Sequence, residues 1–298
     1  MSTLIEKWIF FCIGLACCLV TAYARADMVT LQAFQDTTIS EKSLEFSLGS
    51  DTTLDSGTTG PSDGFKKNRA LLKFDVSAIP TNAVITSAAL SLTLVTTPNI
   101  TNLWFSLHKV LQDWTESAAT WTNRLSPPAP WNAPGGLPSV DYASPVTQSN
   151  LIVATVLPAT STFASNAAMV NDVQDWTSNP ANNFGWILLC ELEDLERSVR
   201  KFASSERTTT NQSPSLFVEF SLPAPPLRLT VLPVTNGQFQ FQFDAVSNQS
   251  YTIVYASELG SSNWTVLTNL LPSSTYAPIL ISDPLSLETN RFYRVQTP

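Results

Sequence analysis

Apolar and polar positions alternate with a period of two over much of the chain. Leu90, Leu92 and Leu94 are separated by Ser91 and Thr93, and Leu103, Phe105 and Leu107 by Trp104 and Ser106. A strand sends successive side chains to opposite faces, so each run has one face to bury. Thr97-Pro98-Asn99 supplies turn chemistry between these two runs, and a hairpin is the simplest reading. In residues 69–76, Ala70, Leu72, Phe74 and Val76 fall on one side and Arg69, Leu71, Lys73 and Asp75 on the other. One stretch breaks the rule. Between residues 165 and 177 the apolar Met169, Val170, Val173 and Trp176 recur at helical spacing, Asn166 is a capping residue, and Ser178-Asn179-Pro180 stops the run. This predicts one short helix packed on a sheet, with Trp176 in the contact.

The ends of the chain read differently. Lys7 precedes an apolar run from Trp8 to Val20, and small residues at Ala22, Ala24 and Ala26 suit signal-peptide cleavage, so residues 1–26 are expected to be a signal peptide and the mature chain secreted or displayed at the cell surface. The run is short for a membrane span. Cys12, Cys17 and Cys18 lie in that segment, which leaves Cys190 alone and no internal disulfide. At the other end, residues 221–226 hold Pro223, Pro225 and Pro226 and read as a linker, because proline cannot donate to a central ladder. Strands are expected beyond it at 227–232, 239–243, 251–255, 264–267 and 291–295. Phe239, Phe241 and Phe243 face one way there, and Gln238, Gln240 and Gln242 the other. Residues 27–220 thus form one unit and 227–298 a second, small one of immunoglobulin or fibronectin type. Residues 126–150, rich in Pro, Gly, Ser and Asn, form a long loop that carries Trp131 and Tyr142.

Charge narrows the partners. Without the first 26 residues the chain has 14 basic and 23 acidic residues, a net charge of −9. Nucleic acid is a poor partner for such a surface, since phosphate contacts dominate that affinity. His108 is the only histidine, which removes multi-histidine metal sites, and no nucleophile elbow or phosphate loop is present. No catalytic residue, metal ligand or cofactor is therefore assigned. The acidic residues Asp113 with Glu116, and Glu191, Glu193, Asp194 with Glu196, read as solvated loops or a calcium-tolerant turn. A structural calcium ion stays compatible with them, although the Asp-x-Asx-x-Asx-Gly loop is absent.

Eight of the 14 basic residues occupy two places, Lys66, Lys67, Arg69 and Lys73 in one and Arg197, Arg200, Lys201 and Arg207 in the other. On a strand Arg69 and Lys73 stand about 13 Å apart on one open face, at roughly 3.3 Å per residue. Such a row suits the carboxylates of an acidic polysaccharide; charge balance by neighbouring acids is the other reading. The candidate ligand-binding set is Arg69, Lys73, Lys201 and Arg207, with Trp131 and Tyr142 as a stacking platform for sugar rings.

Four separated blocks sharpen the picture: RALLKFDVSAIPTNAVITSAALSLTL, HKVLQDWTESAATWTN, DVQDWTSNPANNFGWILL and KFASSERTTTNQSPSLFVEF. Together they resemble the DNRLRE-type domain of secreted bacterial and archaeal proteins, which is related to carbohydrate-binding module family 96. The resemblance implies a mainly β fold, a jelly-roll-like β-sandwich with one or two short helices. It also implies a non-catalytic role, in some members binding of alginate-like polysaccharide beside a catalytic domain. Here no catalytic domain accompanies it, and Ser205 stands where relatives often carry a basic residue. The C-terminal segment resembles a small sandwich module that ends many secreted proteins. Polysaccharide, possibly anionic in character, is the expected partner; a structural or adhesion protein that binds proteins of the cell surface is the alternative, and a polysaccharide lyase or hydrolase the third reading.

Overall fold

The computed structural model of the chain describes residues 26–154, 156–209, 211–223, 227–246, 249–260, 262–273, 277–284 and 290–297. The expected signal peptide, apart from Ala26, lies outside the described residues, as do positions 224–226 of the expected linker. The fold is mainly β and divides into two compact units, Arg25–Leu222 and a second that begins at Pro223. No helix among the described residues is long and apolar enough to cross a membrane.

In the first unit the strands are β1 (Ala26–Ser40), β2 (Thr53–Thr58), β3 (Lys67–Phe74), β4 (Val84–Thr96), β5 (Leu103–Lys109), β6 (Asn123–Leu125), β7 (Ala129–Pro130), β8 (Gln148–Ile152), β9 (Ala159–Phe163), β10 (Trp186–Cys190), β11 (Arg200–Ala203) and β12 (Ser215–Ser221), with helix α1 at Ala167–Ser178. The first half of β1, β12, β4, β11 and β2 make one antiparallel sheet, and β9 adds to β4. The second half of β1, β3, β10, β5 and β8 make the other. The register of β1 shifts between Ala33 and Gln35. A bulge of this kind bends a strand and raises its twist, which lets β1 leave one sheet and join the next. β2 makes the same passage, pairing with β11 up to Ser56 and with β3 from Gly57. Gly57 has φ +104°, and a Cβ there would lie 2.8 Å from the Ser198 carbonyl carbon, so the crossing requires glycine.

The alternating apolar rows point inward as expected. Ala70, Leu72, Phe74, Leu90, Leu92, Leu94, Leu103, Phe105 and Leu107 are all buried in one core. The expected hairpin between the two leucine runs does not form. β4 pairs with β12, β11 and β9, whereas β5 pairs with β10 and β8, so residues 97–102 cross from one sheet to the other. A period of two fixes which face is buried and leaves open whether two runs lie side by side or face to face. Helix α1 lays Met169, Val173 and Trp176 on the core, with Asn166 Oδ1 accepting from the Met169 N–H at 2.8 Å. Trp176 meets Trp186 of β10 with ring centroids 4.5 Å apart.

The second unit has β13 (Thr230–Thr235), β14 (Gln238–Ala245), β15 (Tyr251–Ala256), β16 (Thr265–Leu270), β17 (Ala277–Pro284) and β18 (Phe292–Gln296) in two three-stranded sheets, β13-β14-β17 and β16-β15-β18. Phe239, Phe241, Phe243, Ile253, Ile281 and Val295 share its core. β17 escapes a sequence reading because Pro278 and Pro284 bracket its alternating Ile279 and Ile281.

Candidate functional site

Strand parity sends Arg69, Leu71 and Lys73 to the outer face of the second sheet, where register sets them beside Ile39, Thr37 and Gln35 of β1. From sequence this face is expected to be open. Instead, residues 110–147 fold over it. Trp114, Trp121, Trp131 and Tyr142 pack with Ile39, Leu71 and Ile187 in a second apolar cluster. The indoles are anchored: Trp114 Nε1 donates to the Phe184 carbonyl at 2.8 Å and Trp131 Nε1 to the Thr120 carbonyl at 3.0 Å. Buried Asp141 accepts from the N–H groups of Asn132 (2.9 Å) and Leu137 (2.7 Å), and so turns the Pro- and Gly-rich stretch back on itself. Each large side chain buried this way contributes about 1.5–3 kcal/mol, which outweighs leaving an aromatic-rich loop in water.

The cap changes the standing of four of the six expected ligand residues. Arg69 does not face solvent. Its Nε and Nη2 donate to the two carboxylate oxygens of Glu193 at 2.8 and 2.7 Å, its Nη1 donates to the Gly135 carbonyl at 2.7 Å, and its guanidinium lies 5.3 Å from the Trp121 ring centroid. Burial alone would lower its pKa, but the Glu193 hydrogen bonds and charge outweigh that and hold it above the usual value. The Lys73 ammonium sits 3.5 Å from Asp113 and near the rings of Phe34 and Phe184, with 15% of its side chain exposed. Trp131 and Tyr142 are only 6% exposed each, too enclosed to receive a sugar ring. On the first sheet, Lys201 pairs with Asp55, and Arg207 Nε donates to Gln212 at 2.8 Å. The structure therefore does not bring the six together; four serve or border the cap, and two belong to β11 and the turn after it. His108, whose ring nitrogens meet the Ala143 carbonyl (2.8 Å) and Ser106 Oγ (3.2 Å), is a satisfied core histidine.

The apolar packing of the cap reaches half-buried Leu189, and the outer face continues across β5 and β8 with Ser106 still buried and Ser149 and Leu151 half-buried. Trp104 stands there, 50% exposed. Across from it on β8 is Leu151, and Ser106 on its own strand lies between Leu189 and Ser149 by register. The Glu191 N–H donates to the Trp104 carbonyl at 3.0 Å, and Ser149 Oγ donates to Glu191 Oε1 at 2.8 Å. A broad indole on a rigid strand, rimmed by a carboxylate and a hydroxyl, offers what a sugar ring needs: an apolar face to stack on and polar groups at its edge. The other described tryptophans of this unit are at most 7% exposed.

A third feature lies where β1 changes sheets. Asp36, Glu116 and Glu206 each place a carboxylate oxygen within 4.8 Å of the others, an arrangement able to hold a cation. Burial first, then the charges of Glu206 and Glu116, push Asp36 up to about 7 against the Ser205 N–H that favours its anion.

No curated protein matches the chain. Residues 27–132, which run from β1 to the near half of the cap and include Asp36, Trp104 and Glu116, match carbohydrate-binding module family 96, and the first unit is related to that family of carbohydrate-binding modules.

Proposed function

We propose that this is a secreted, non-catalytic protein whose first unit binds polysaccharide by stacking a sugar ring on Trp104. The observation that carries the reading is the exposure of Trp104 at 50%, in a unit that otherwise withdraws its described tryptophans to 7% or less. Glu191 and Ser149, already in contact with each other, supply an acceptor and a hydroxyl beside it. An acidic ligand was expected from an open row of cations. With Arg69, Lys73 and Lys201 each beside a carboxylate, stacking and neutral hydrogen bonds carry the affinity, and the net negative surface disfavours a densely anionic chain.

Affinity electrophoresis through gels containing neutral glucans and xylans, alginate, pectin or a sulfated polysaccharide tests the reading. Retardation by a neutral polymer is expected, with about tenfold weaker binding for Trp104→Ala and an unchanged melting temperature. It should persist as salt is raised to about 1 M, where the Debye length falls to about 3 Å. Equal retardation of Trp104→Ala and the parent would remove Trp104 from the site. Retardation confined to acidic polymers and abolished by salt would return the assignment to a cationic surface.

A further inference from the structure

Asp36, Glu116 and Glu206 come from three remote parts of the chain: β1 just past its bulge, the start of the cap, and the turn after β11. Local hydrogen bonds aim them. The Ser205 N–H donates to Asp36 Oδ2 at 2.9 Å, Ser205 Oγ to Glu206 Oε1 at 2.8 Å, and the Asp36 N–H to Glu116 Oε1 at 2.9 Å. Glu116 is seated from behind as well. Ser47 Oγ donates to its carbonyl, and a Cβ on Gly49 would lie 2.4 Å from its Cγ, so that wall of the cluster admits only glycine.

This seating leaves a deficit. The Asp36 side chain has no exposed surface, yet its Oδ1 accepts no hydrogen bond, and neither does the enclosed Glu206 Oε2. None of the three carboxylates forms an ion pair with a lysine or arginine among the described residues. Buried carboxylates with open lone pairs and no counter-charge are strongly unfavourable unless something cationic joins them. A shared proton would neutralise one of the three and still leave acceptors unfilled.

We propose that Asp36, Glu116 and Glu206 together bind one calcium ion that ties the cap to β1 and to the turn after β11. The donors are all hard carboxylate oxygens, with neither histidine nor cysteine among them, which points away from zinc and toward calcium or magnesium. Separations within 4.8 Å let one ion touch all three carboxylates. Calcium accepts about six to eight oxygens in flexible geometry, which suits donors fixed by three separate elements, whereas magnesium demands a near-ideal octahedron. The site needs no acidic loop motif, because the fold and not the local sequence assembles it.

The test is thermal unfolding and titration calorimetry of the purified chain after EDTA treatment, with calcium chloride or magnesium chloride added back. Calcium at about a hundredfold over its dissociation constant should raise the melting temperature of the first unit by about 5 °C or more, and magnesium by much less. Asp36→Asn and Glu206→Gln should each abolish the calcium increment. In EDTA, Asp36→Asn should melt at or above the parent temperature, since it removes a buried, uncompensated charge; a carboxylate that is merely structural would melt lower with or without calcium. Glu206→Gln, at a less buried position, carries the test if Asp36→Asn does not fold. No calcium-dependent heat and no shift in the parent, or an undiminished shift in Glu206→Gln, would overturn the proposal.

Discussion

Arg69→Ala is expected to destabilise the first unit by about 2–4 kcal/mol. The substitution removes two hydrogen bonds to Glu193, one to the Gly135 carbonyl and the contact with Trp121. Deleting one partner of a buried ion pair costs about 3–5 kcal/mol, because the other charge stays desolvated without compensation. The Arg69 and Glu193 side chains keep 14% and 16% exposure, so water reaches the orphaned carboxylate in part and the cost falls below that range, to about 1.5–3 kcal/mol. Loss of the ring contact adds about 0.5–1 kcal/mol. For a domain of about 150–250 residues each kcal/mol moves the melting temperature by about 2–4 °C, so a drop of about 4–16 °C is expected. Scanning calorimetry on Arg69→Ala, Glu193→Ala and the double variant would read it, with the double variant recovering about 2 kcal/mol relative to the sum of the singles. A melting temperature within about 1 °C of the parent would mean that the guanidinium is solvated, and the capped-face geometry would be wrong.

Two further outcomes follow from named contacts. Trp186→Phe should cost about 1–2 kcal/mol more than Trp176→Phe in urea unfolding, although both are fully buried, because Trp186 Nε1 donates to Asp172 at 2.8 Å while the Trp176 indole N–H has no partner to lose; equal costs would refute the accounting. Burial raises the Asp175 pKa, but hydrogen bonds from Lys109, Asn182 and Asn179 outweigh it and leave the carboxyl below the ordinary 3.8. Its stabilisation is therefore present above that value and lost as pH falls through the lowered one. Urea midpoints between pH 6 and about pH 3 should decline less steeply in Asp175→Asn, and parallel declines would count against the assignment.

Much of the architecture was legible in alternation and capping, because those signals are local. The inward Leu72 and Phe74, the helix capped by Asn166 and the phenylalanine row of β14 each follow from a few neighbouring residues and the period of the element they occupy. Parity also placed Arg69 and Lys73 on the outer face. What it omits is whatever comes to lie on that face, since Trp114, Trp121, Trp131 and Tyr142 reach Leu71 only through long-range folding of residues 110–147. The one mark of that covering is compositional, a solvent-bound loop with too many aromatics. Trp104 left a clearer trace, a large indole in a slot where alternation calls for a polar residue. Glu116 stood out as acidic, but its partners Asp36 and Glu206 are 80 and 90 positions away along the chain, beyond any spacing motif.

The passage of β1 through both sheets has a consequence for biosynthesis. Its opening half pairs with β12, Ala26 with Ser221, so the first strand of this unit waits for its last, about 200 residues later in synthesis. Such distant pairing slows folding and keeps the emerging polypeptide uncommitted until the last strand of the unit has been made. The same wiring denies autonomy to the family-matched stretch. Severed after residue 132, it would retain β3 without β10, β4 without β12 and β5 without β8, and would present raw ladder edges for aggregation.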